Sequence, residues 1–417
     1  MFASPAIPDE KATALIQWLI HQAWEKAPNE ALVAATAERI VEAGVPLDRC
    51  RVAMYTLHPE TGSLMFDWDR AENAALSGRR HEIAYSRDES EEWKASPLRH
   101  MMATGTLRLR RRLTGPDAEL DFTVFEEFRD EGFTDYYACM FGGAEALRLI
   151  RDGERSCGAL LRWLTRHPDG FSEHDIAFID SIVPALTSAI QAHLDQEIAA
   201  NLLDAYVGPL VGSRILKGEI RRGMAESLNA VLMIADLSDF TSVSDIVSKE
   251  EMVSALNRYF DAMLAPVHAA GGQVLKFLGD GFLAIFPFEP GMQREVARKA
   301  LQAATEALAA IDELAETEAD LERPAMGLNV ALHLGEVMFG NVGSRDRLDF
   351  TVIGPAVNEA SRMESLCRSL GTDIILSESI ADLLPDETRL LTRMELRGVK
   401  GKRALYAPLP AATGAMR

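Results

Sequence analysis

The chain has 417 residues, more than one hydrophobic core usually organises, so we expect two domains of roughly 200 residues each. Hydrophobic residues make up 47% and charged residues 25%, which is ordinary for a globular protein. A net charge of −20 argues against a surface that binds nucleic acid or an anionic membrane. The excess of acid is adequately explained as a means of keeping the protein soluble.

The sequence also limits where the protein works. No stretch approaches the roughly 18 uninterrupted apolar residues of a membrane span, and no basic segment followed by an apolar one opens the chain. Four cysteines lie far apart without a CxxC spacing, at Cys50, Cys139, Cys157 and Cys367, which favours reduced thiols. We therefore expect a cytoplasmic protein without membrane or nucleic-acid partners.

The first predicted elements are helical. Residues 12–44 predict two helices, because apolar positions recur there at helical spacing. Two strand candidates follow, Arg51–Leu57 and Cys157–Leu164, and the second ends at a Pro-Asp-Gly breaker.

A long helix is predicted next. Ser172 and Asp175 have the spacing of a capping box, and apolar residues then recur every three or four positions from Ile179 to Leu202. Because a single globular helix rarely runs this long, we interpret residues 196–225 as a helical connector between domains. A fragment that begins near Gly212 is accordingly expected to fold by itself.

The order of helices, alternating strands and the closing segment GFSEHDIAFIDSIVPALTSAI resembles a GAF-type sensor domain, most clearly over residues 150–192. The resemblance implies an α/β sensor over residues 1–195 with a pocket for an unknown signal. A dimerisation domain with an empty pocket is an equally open alternative, since fold analogy does not establish function.

The second half opens with the apolar run Ala230–Ala235, typical of a buried strand, which ends at Asp236. A carboxylate at this point can bind a metal at the sheet edge, and the following turn can offer backbone N–H groups to a phosphate. The alternative is that Asp236 is only the N-cap of the next helix.

A second acid lies in a predicted hairpin. Gly271–Phe286 contains two strand-like runs joined at Gly279-Asp280-Gly281, and Asp-Gly is a favoured two-residue turn. One interpretation is that Asp280 is present only because Asp is favoured in this turn. Two Asp residues on neighbouring strand ends can instead hold two Mg²⁺ ions, which suits the displacement of a polyphosphate leaving group.

A third segment is Asp349–Ser365, where Asn358 and Arg362 are four residues apart and so share one helix face. Arg suits the stabilisation of charge that develops on a phosphate, and Asn suits the orientation of a sugar. The alternative is an exposed polar face without a role.

Together these segments resemble the class III nucleotidyl cyclases, because a metal Asp, Lys-x-x-x-Asp and Asn-x-x-x-Arg occur in that order across residues 231–406. The resemblance implies an α/β (α+β) catalytic domain of ferredoxin-like, palm type over residues 226–410. It implies an adenylate cyclase that makes cyclic AMP from ATP with two Mg²⁺ or Mn²⁺ ions per active site.

The resemblance also assigns the metal ligands and part of the phosphate-binding site. It makes Asp236 and Asp280 the metal ligands, helped by the carbonyl group of Leu237. It places phosphate against the backbone of Phe240 and Thr241.

Further roles follow from the same resemblance. Asn358 orients the ribose, Arg362 stabilises the transition state, and Lys402 contacts phosphate. The positions that select the purine fall on Lys276 and Thr351. A Lys can donate to adenine N1 and a Thr hydroxyl can accept from N6, as in the bacterial branch of adenylate cyclases with Thr in place of Asp.

Three residues depart from the family pattern. Asp239 stands where glycine is usual, Pro355 where an acid is common, and Asn329 where some relatives carry a phosphate-binding Arg. A guanylate cyclase and a silent, nucleotide-binding pseudo-cyclase are the alternatives. A diguanylate-forming enzyme is set aside, because the hairpin reads LGDGF rather than GG(D/E)EF.

The spacing of the two predicted site groups indicates a dimer. If Lys276 and Asp280 lie on one strand, alternation puts them on one face, roughly 13 Å apart, which is far for one nucleotide. The resemblance resolves this through a homodimer with two shared sites. Asp236 and Asp280 come from one protomer, and Lys276, Thr351, Asn358 and Arg362 come from its partner.

Overall fold

The computed structural model describes residues 9–25, 27–55, 61–71, 79–84, 90–142, 158–320, 323 and 325–410. The chain divides into two compact units, Met1–Leu202 and Leu203–Arg417. Each unit combines a β-sheet with helices, so the predicted α/β (α+β) class is confirmed.

The N-terminal unit contains a six-stranded antiparallel sheet in the order β3-β2-β1-β6-β5-β4. Its described elements are, in chain order, α1 (Glu10–Gln22), α2 (Asn29–Ala43), β1 (Arg49–Tyr55), β2 (Thr61–Asp69), β3 (Arg79–Ala84), α3 (Glu91–Lys94), α4 (Pro97–Thr104), β4 (Arg108–Arg112), α5 (Thr123–Asp130), β5 (Asp135–Gly142), β6 (Gly158–Thr165) and α6 (Glu173–Val207).

The two predicted helices and both predicted strands are confirmed, as α1, α2, β1 and β6. Residues 56, 57 and 157, at the ends of the predicted strands, lie outside the described residues. Helices α1, α2 and α6 pack on one face of the sheet, and α4 and α5 pack on the other.

The capping box at the start of α6 is also confirmed. The backbone N–H and the hydroxyl of Ser172 donate to the Asp175 carboxylate at 2.7 Å, and the Asp175 N–H donates back to the Ser172 hydroxyl at 3.2 Å. The helix ends at Val207 before Gly208, which has a φ of 82°.

Within the described parts of the chain, α6 is the one helix long and apolar enough to cross a membrane by length and composition. The sequence-based exclusion counted only uninterrupted apolar residues, so it overlooked this helix. Nine residues of α6, the first Phe178 and the last Leu194, are buried, and all of them except Thr187 belong to the hydrophobic core of the N-terminal unit. Core packing therefore accounts for the composition of α6.

The C-terminal unit contains an eight-stranded sheet in the order β13-β14-β12-β10-β7-β9-β8, with β11 paired to β10. Its elements are α7 (Pro209–Leu216), β7 (Ala225–Ser238), α8 (Phe240–Ser244), α9 (Lys249–Ala269), β8 (Gln273–Phe277), β9 (Gly281–Pro287), α10 (Gln293–Asp320), β10 (Gly327–Gly343), β11 (Leu348–Ile353), α11 (Pro355–Glu364), α12 (Cys367–Leu370), β12 (Ile374–Ser377), α13 (Glu378–Ala381), β13 (Thr388–Glu395) and β14 (Lys402–Pro408).

Strand β7 shows how the two faces of this sheet are used. Val231 and Met233 pack in the core that includes α9 and α10, whereas Leu232 and Ile234 pack in the core that includes α7 and α11. Alternation continues this second set to Asp236. The first predicted metal ligand is therefore on the α11 side of the sheet.

The expected start of an independent fragment near Gly212 needs correction. Val211 is fully buried in the core of the C-terminal unit, and Val207 and Leu210 pack against that core. A fragment that begins at Gly212 lacks these contacts. The compact unit begins at Leu203.

Candidate active site

Two carboxylates lie together near the end of β7 and just before the start of β9. Asp236 is directly opposite Gly281, the first residue of β9, and Asp280 immediately precedes Gly281. A side chain at Gly281 would place its Cβ 2.3 Å from the carbonyl oxygen of Ala235 and 2.5 Å from the Asp236 carboxylate. Glycine is therefore what lets the two acids approach.

The surroundings of Asp236 and of the nearby Glu364 raise the pKa of both carboxyl groups. Burial, and then the neighbouring Asp280, raise the pKa of Asp236 to about 6. Glu364, the last residue of α11, has its pKa raised to about 7 by burial and by Asp236 and Asp280. No cation contributes to either shift, so the three acids repel one another without compensation.

This acidic edge suits a divalent cation. Among the residues that the structure describes, no group of three or more His, Cys, Asp and Glu side chains could hold a metal ion by itself. Two close, uncompensated carboxylates nevertheless fit Mg²⁺ or Mn²⁺, because Mg²⁺ is commonly bound by one or two carboxylates together with substrate phosphates. Asp236 and Asp280 would hold the ions.

Asp236 is not the N-cap of the helix that follows β7, so that alternative is wrong. The N-cap of α8 is Asp239, which has a φ of 66° and makes no side-chain capping bond. Asp is one of the few residue types that adopt this left-handed conformation readily, which explains how it replaces glycine here. Arg368 offsets the added charge through an ion pair with Asp239 at 2.5 Å.

The backbone of Phe240 and Thr241 forms the first turn of α8. Backbone N–H groups in a first helical turn have no acceptor within the helix. Leu237 is buried in the sheet core, and its carbonyl group lies one residue beyond Asp236 along β7. These positions are compatible with the phosphate and metal roles that the resemblance implies.

Lys276 and Asp280 do not share a strand, so the alternation argument about them is wrong. Strand β8 ends at Phe277, and the Leu278 N–H donates to the carbonyl oxygen of Gly281 at 2.8 Å, closing a turn centred on Gly279-Asp280. A register shift between Val274 and Lys276 further changes the spacing.

Lys276 instead lies beside Asp349 on β11, the strand that also carries Thr351. Its Nζ is 3.5 Å from the Asp349 carboxylate, and Asp349 and Thr351 are two residues apart on β11, on the same face. Thr351 is only 5% exposed, and its hydroxyl has no hydrogen-bond partner. Leaving a buried hydroxyl without a hydrogen bond costs about 1–3 kcal/mol of stability. A polar group of a bound ligand could supply the missing hydrogen bond.

Asn358 and Arg362 lie on α11 as predicted. An ideal Cβ on Gly398 would lie 3.5 Å from the Arg362 guanidinium, which therefore rests against the loop before Lys402. Neither Asn358 nor Arg362 has a recorded side-chain partner in the described part of this chain, and Lys402 is exposed at the start of β14.

An ion pair connects helix α11 to strand β14. The Arg403 Nε donates to the Glu359 carboxylate at 2.8 Å, joining α11 to β14. The half-buried His333, on β10, lies close enough to Glu359 to be affected by its charge, although desolvation is the larger effect and lowers the His333 pKa. The pair fixes the relative positions of Asn358 and Lys402.

The comparisons with known proteins concern this unit. The sequence profile of the adenylate and guanylate cyclase catalytic domain matches residues 224–407. An adenylate cyclase of Anabaena cylindrica is 31% identical over 184 residues, which are 44% of this chain and 36% of that protein. Adenylate cyclase 1 of Rhizobium meliloti (strain 1021) is 31% identical over 173 residues, 41% of this chain and 26% of that protein.

Among solved structures, the adenylyl cyclase CyaB from P. aeruginosa aligns with 46% of this chain and 98% of its own, at 22% identity and a TM-score of 0.42. The chain spans about a third or less of the length of the two curated relatives. The profile match and these relatives show that residues 224–407 are similar to the catalytic domains of adenylate and guanylate cyclases.

Sequence reasoning missed Glu364 at this site. Glu364 follows Arg362 by two residues, and positions two apart on a helix point in different directions. Only the packing of α11 over the sheet brings its carboxylate near Asp236 and Asp280, so the spacing gave no signal.

Proposed function

We propose that the C-terminal unit is an adenylate cyclase that converts ATP to 3′,5′-cyclic AMP and pyrophosphate in a cytoplasmic homodimer with two shared sites. The observation that carries the proposal is that the acidic side chains and the arginine of the candidate site are not paired with opposite charges within one chain. Asp236 and Asp280 have no neutralising cation, and Arg362 has no recorded carboxylate partner among the described residues. Metal ions bound with a nucleotide would neutralise the two carboxylates, and the phosphates of a nucleotide held by the partner chain's carboxylates would pair with Arg362.

Exposed apolar side chains support the dimer. Phe277 and Leu278 at the end of β8, and Leu348 and Ile353 on β11, are 39–53% exposed. They flank the strands that carry Lys276 and Thr351. Clusters of exposed apolar residues mark interaction surfaces, and a twofold interface would produce two equivalent sites.

The reaction joins the ribose 3′ oxygen to the α-phosphorus and breaks the bond to pyrophosphate. Asp236 and Asp280, with the carbonyl group of Leu237, would hold two divalent ions, which would supply positive charge near the attacking oxygen and the triphosphate. Arg362 of the other protomer stabilises the charge that develops on the α-phosphate. Asn358 orients the ribose so that its 3′ oxygen faces the phosphorus.

The remaining groups bind the two ends of ATP. Lys402 and the backbone N–H groups of Phe240 and Thr241 hold phosphate oxygens. Lys276, held by Asp349, donates to adenine N1, and the hydroxyl of Thr351 accepts from N6. The unpaired, buried state of that hydroxyl supports adenine as its partner.

The N-terminal unit is proposed as a GAF-like sensor that regulates the catalytic domain. Helix α6 contains the boundary between the two units, since it ends at Val207 and the C-terminal unit begins at Leu203. This continuity supports regulation through the backbone that joins the units.

Product identification tests the activity. Purified protein with ATP and Mg²⁺ or Mn²⁺ should form cyclic AMP, and it should form much less cyclic GMP from GTP. Cyclic GMP as the main product would make the protein a guanylate cyclase. Nucleotide binding without turnover under either metal would favour the pseudo-cyclase.

A further inference from the structure

The N-terminal unit contains a cavity of about 530 Å³ between its sheet and helices α3, α4 and α5. Cavities of about 300–1,000 Å³ are typical of small-molecule sites. Apolar side chains form much of the lining, including Met65, Trp93, Leu98, Val124 and Leu160. The cavity is therefore suited to an apolar molecular body.

Arg162 is the unusual member of this lining. It lies on β6 between Leu160 and Leu164, which belong to the core under α4 and α5. Its Nε is enclosed without a hydrogen-bond partner, and the described residues provide it with no ion pair. Its recorded contact is with the ring of Phe128, 5.1 Å from the guanidinium carbon.

The neighbouring strands explain why Arg162 is uncompensated. Asp67, Arg51 and Arg162 are directly opposite one another across β2, β1 and β6, so two guanidinium groups share one carboxylate. Arg51 binds both oxygens of Asp67, and His81 lies 3.3 Å from one of them. Like charges directly opposite each other destabilise a sheet.

The other charged groups around the cavity do not change this balance. Glu92 and Glu127 line it, but both are exposed at its rim and neither has an ion pair with Arg162. Burial lowers the pKa of Arg162 to about 10, which still leaves the side chain charged at neutral pH. Among the described residues, one positive charge therefore faces the cavity without an ion-pair partner of its own.

We propose that this cavity binds a small organic monoanion, with its carboxylate paired to Arg162 and its apolar body against Trp93, Leu98 and Val124. A planar carboxylate matches the two parallel N–H donors of a guanidinium group. A single anionic charge balances the single uncompensated cation. The inference concerns only the N-terminal unit and does not depend on the proposed cyclase activity.

Calorimetric titration of the full chain tests the proposal with 4-phenylbutyrate and its neutral analogue 4-phenylbutanamide. The carboxylate should bind about tenfold or more tightly than the amide, because it alone pairs with the charge of the half-buried Arg162. Arg162→Met should abolish this difference. Arg129→Met is the matched control, since Arg129 is paired with Asp130 on α5 and does not line the cavity. Inorganic phosphate should bind more weakly, because it has no apolar body.

The stability of the ligand-free protein separates this role from a purely structural one. Arg162→Met replaces a half-buried charge, which has no ion pair among the described residues, with an apolar side chain of similar length, so the unfolding midpoint of the N-terminal unit should rise. If Arg162 serves only to pack on Phe128, the midpoint falls instead. Equal binding of the acid and the amide, unchanged selectivity in Arg162→Met, or a lower midpoint would each overturn the proposal.

Discussion

Asp236 lies directly opposite Gly281, and a Cβ on that glycine would be 2.5 Å from the Asp236 carboxylate. Gly281→Ala should therefore separate the β7 and β9 ends, at a cost of about 1–3 kcal/mol in the free energy of unfolding. Displacement of the acids should lower cyclase activity about 10²-fold. Activity assays and urea unfolding measure the two effects.

Gly279→Ala is the matched control for this change, because it lies in the same turn and an added Cβ has nothing within 4 Å. Its φ of 80° makes alanine strained, so stability should fall while activity is largely kept. Equal loss of activity in both variants would show that turn strain, rather than contact with Asp236, is responsible.

The stability of the metal-free protein should depend on pH. The pKa values of Asp236 and Glu364 are raised to about 6 and about 7, above the unfolded values of about 4. The folded state therefore binds more protons between these limits, and its free energy of unfolding falls as pH rises from about 4 to 7. Added Mg²⁺ should restore stability at pH 8.

Urea unfolding in EDTA at pH 5 and pH 8 checks this slope. Glu364→Gln removes one of the repelling acids, so it should reduce the pH dependence and stabilise the metal-free protein at pH 8. Glu250→Gln, an exposed change on α9, is the control. A free energy of unfolding that increases with pH across this window would contradict the assigned repulsion.

Thr351→Val tests the buried hydroxyl. Since that hydroxyl has no partner in the free protein, its removal should raise stability or leave it unchanged. The loss of the acceptor for adenine N6 should raise KM for ATP about tenfold. A marked fall in stability without nucleotide would mean that the hydroxyl is bonded in solution.

Lys276→Glu should weaken ATP discrimination, because the acid would face the N1 acceptor of adenine. An unpaired buried polar group costs about 1–3 kcal/mol, which is roughly a 5- to 150-fold effect. Asp349, 3.5 Å from Lys276 Nζ, would also repel the new acid. Lys276→Met, which removes the donor without adding charge, separates these contributions. Unchanged ATP/GTP preference in both variants would remove Lys276 from the purine site.

The shared site makes a complementation prediction. Asp280→Ala and Arg362→Ala should each be inactive alone, since each disables both sites of a homodimer. Mixed dimers collect both lesions in one site and leave the other intact. Random exchange should therefore restore roughly a quarter of wild-type activity. Mixtures that stay at the single-mutant level after verified exchange would place the whole site in one chain.

Local patterns predicted the main elements well. The capping box of Ser172 and Asp175 marks the start of α6, and the run before Asp236 is part of a buried strand. The hairpin turn was displaced by one residue, because Gly279 rather than Gly281 is one of its two central residues. Strand alternation then failed for Lys276 and Asp280.

The residues that the sequence did not reveal depend on tertiary packing. Glu364 joins the acids only because α11 packs over β7 and β9. Arg162 interrupts an apolar strand, but its importance depends on Asp67 being paired already with Arg51. Neither relationship is local, so no periodicity or spacing could have indicated it.

Asp239 has a consequence for the unfolded chain. Glycine loses more conformational freedom on folding than any other residue, so an Asp at this left-handed position reduces the entropy lost when the turn forms. That gain offsets part of the steric cost, and Arg368 anchors the carboxylate from α12. The backbone of the turn before Phe240 therefore has fewer accessible conformations before a phosphate binds than a turn with glycine at this position would have.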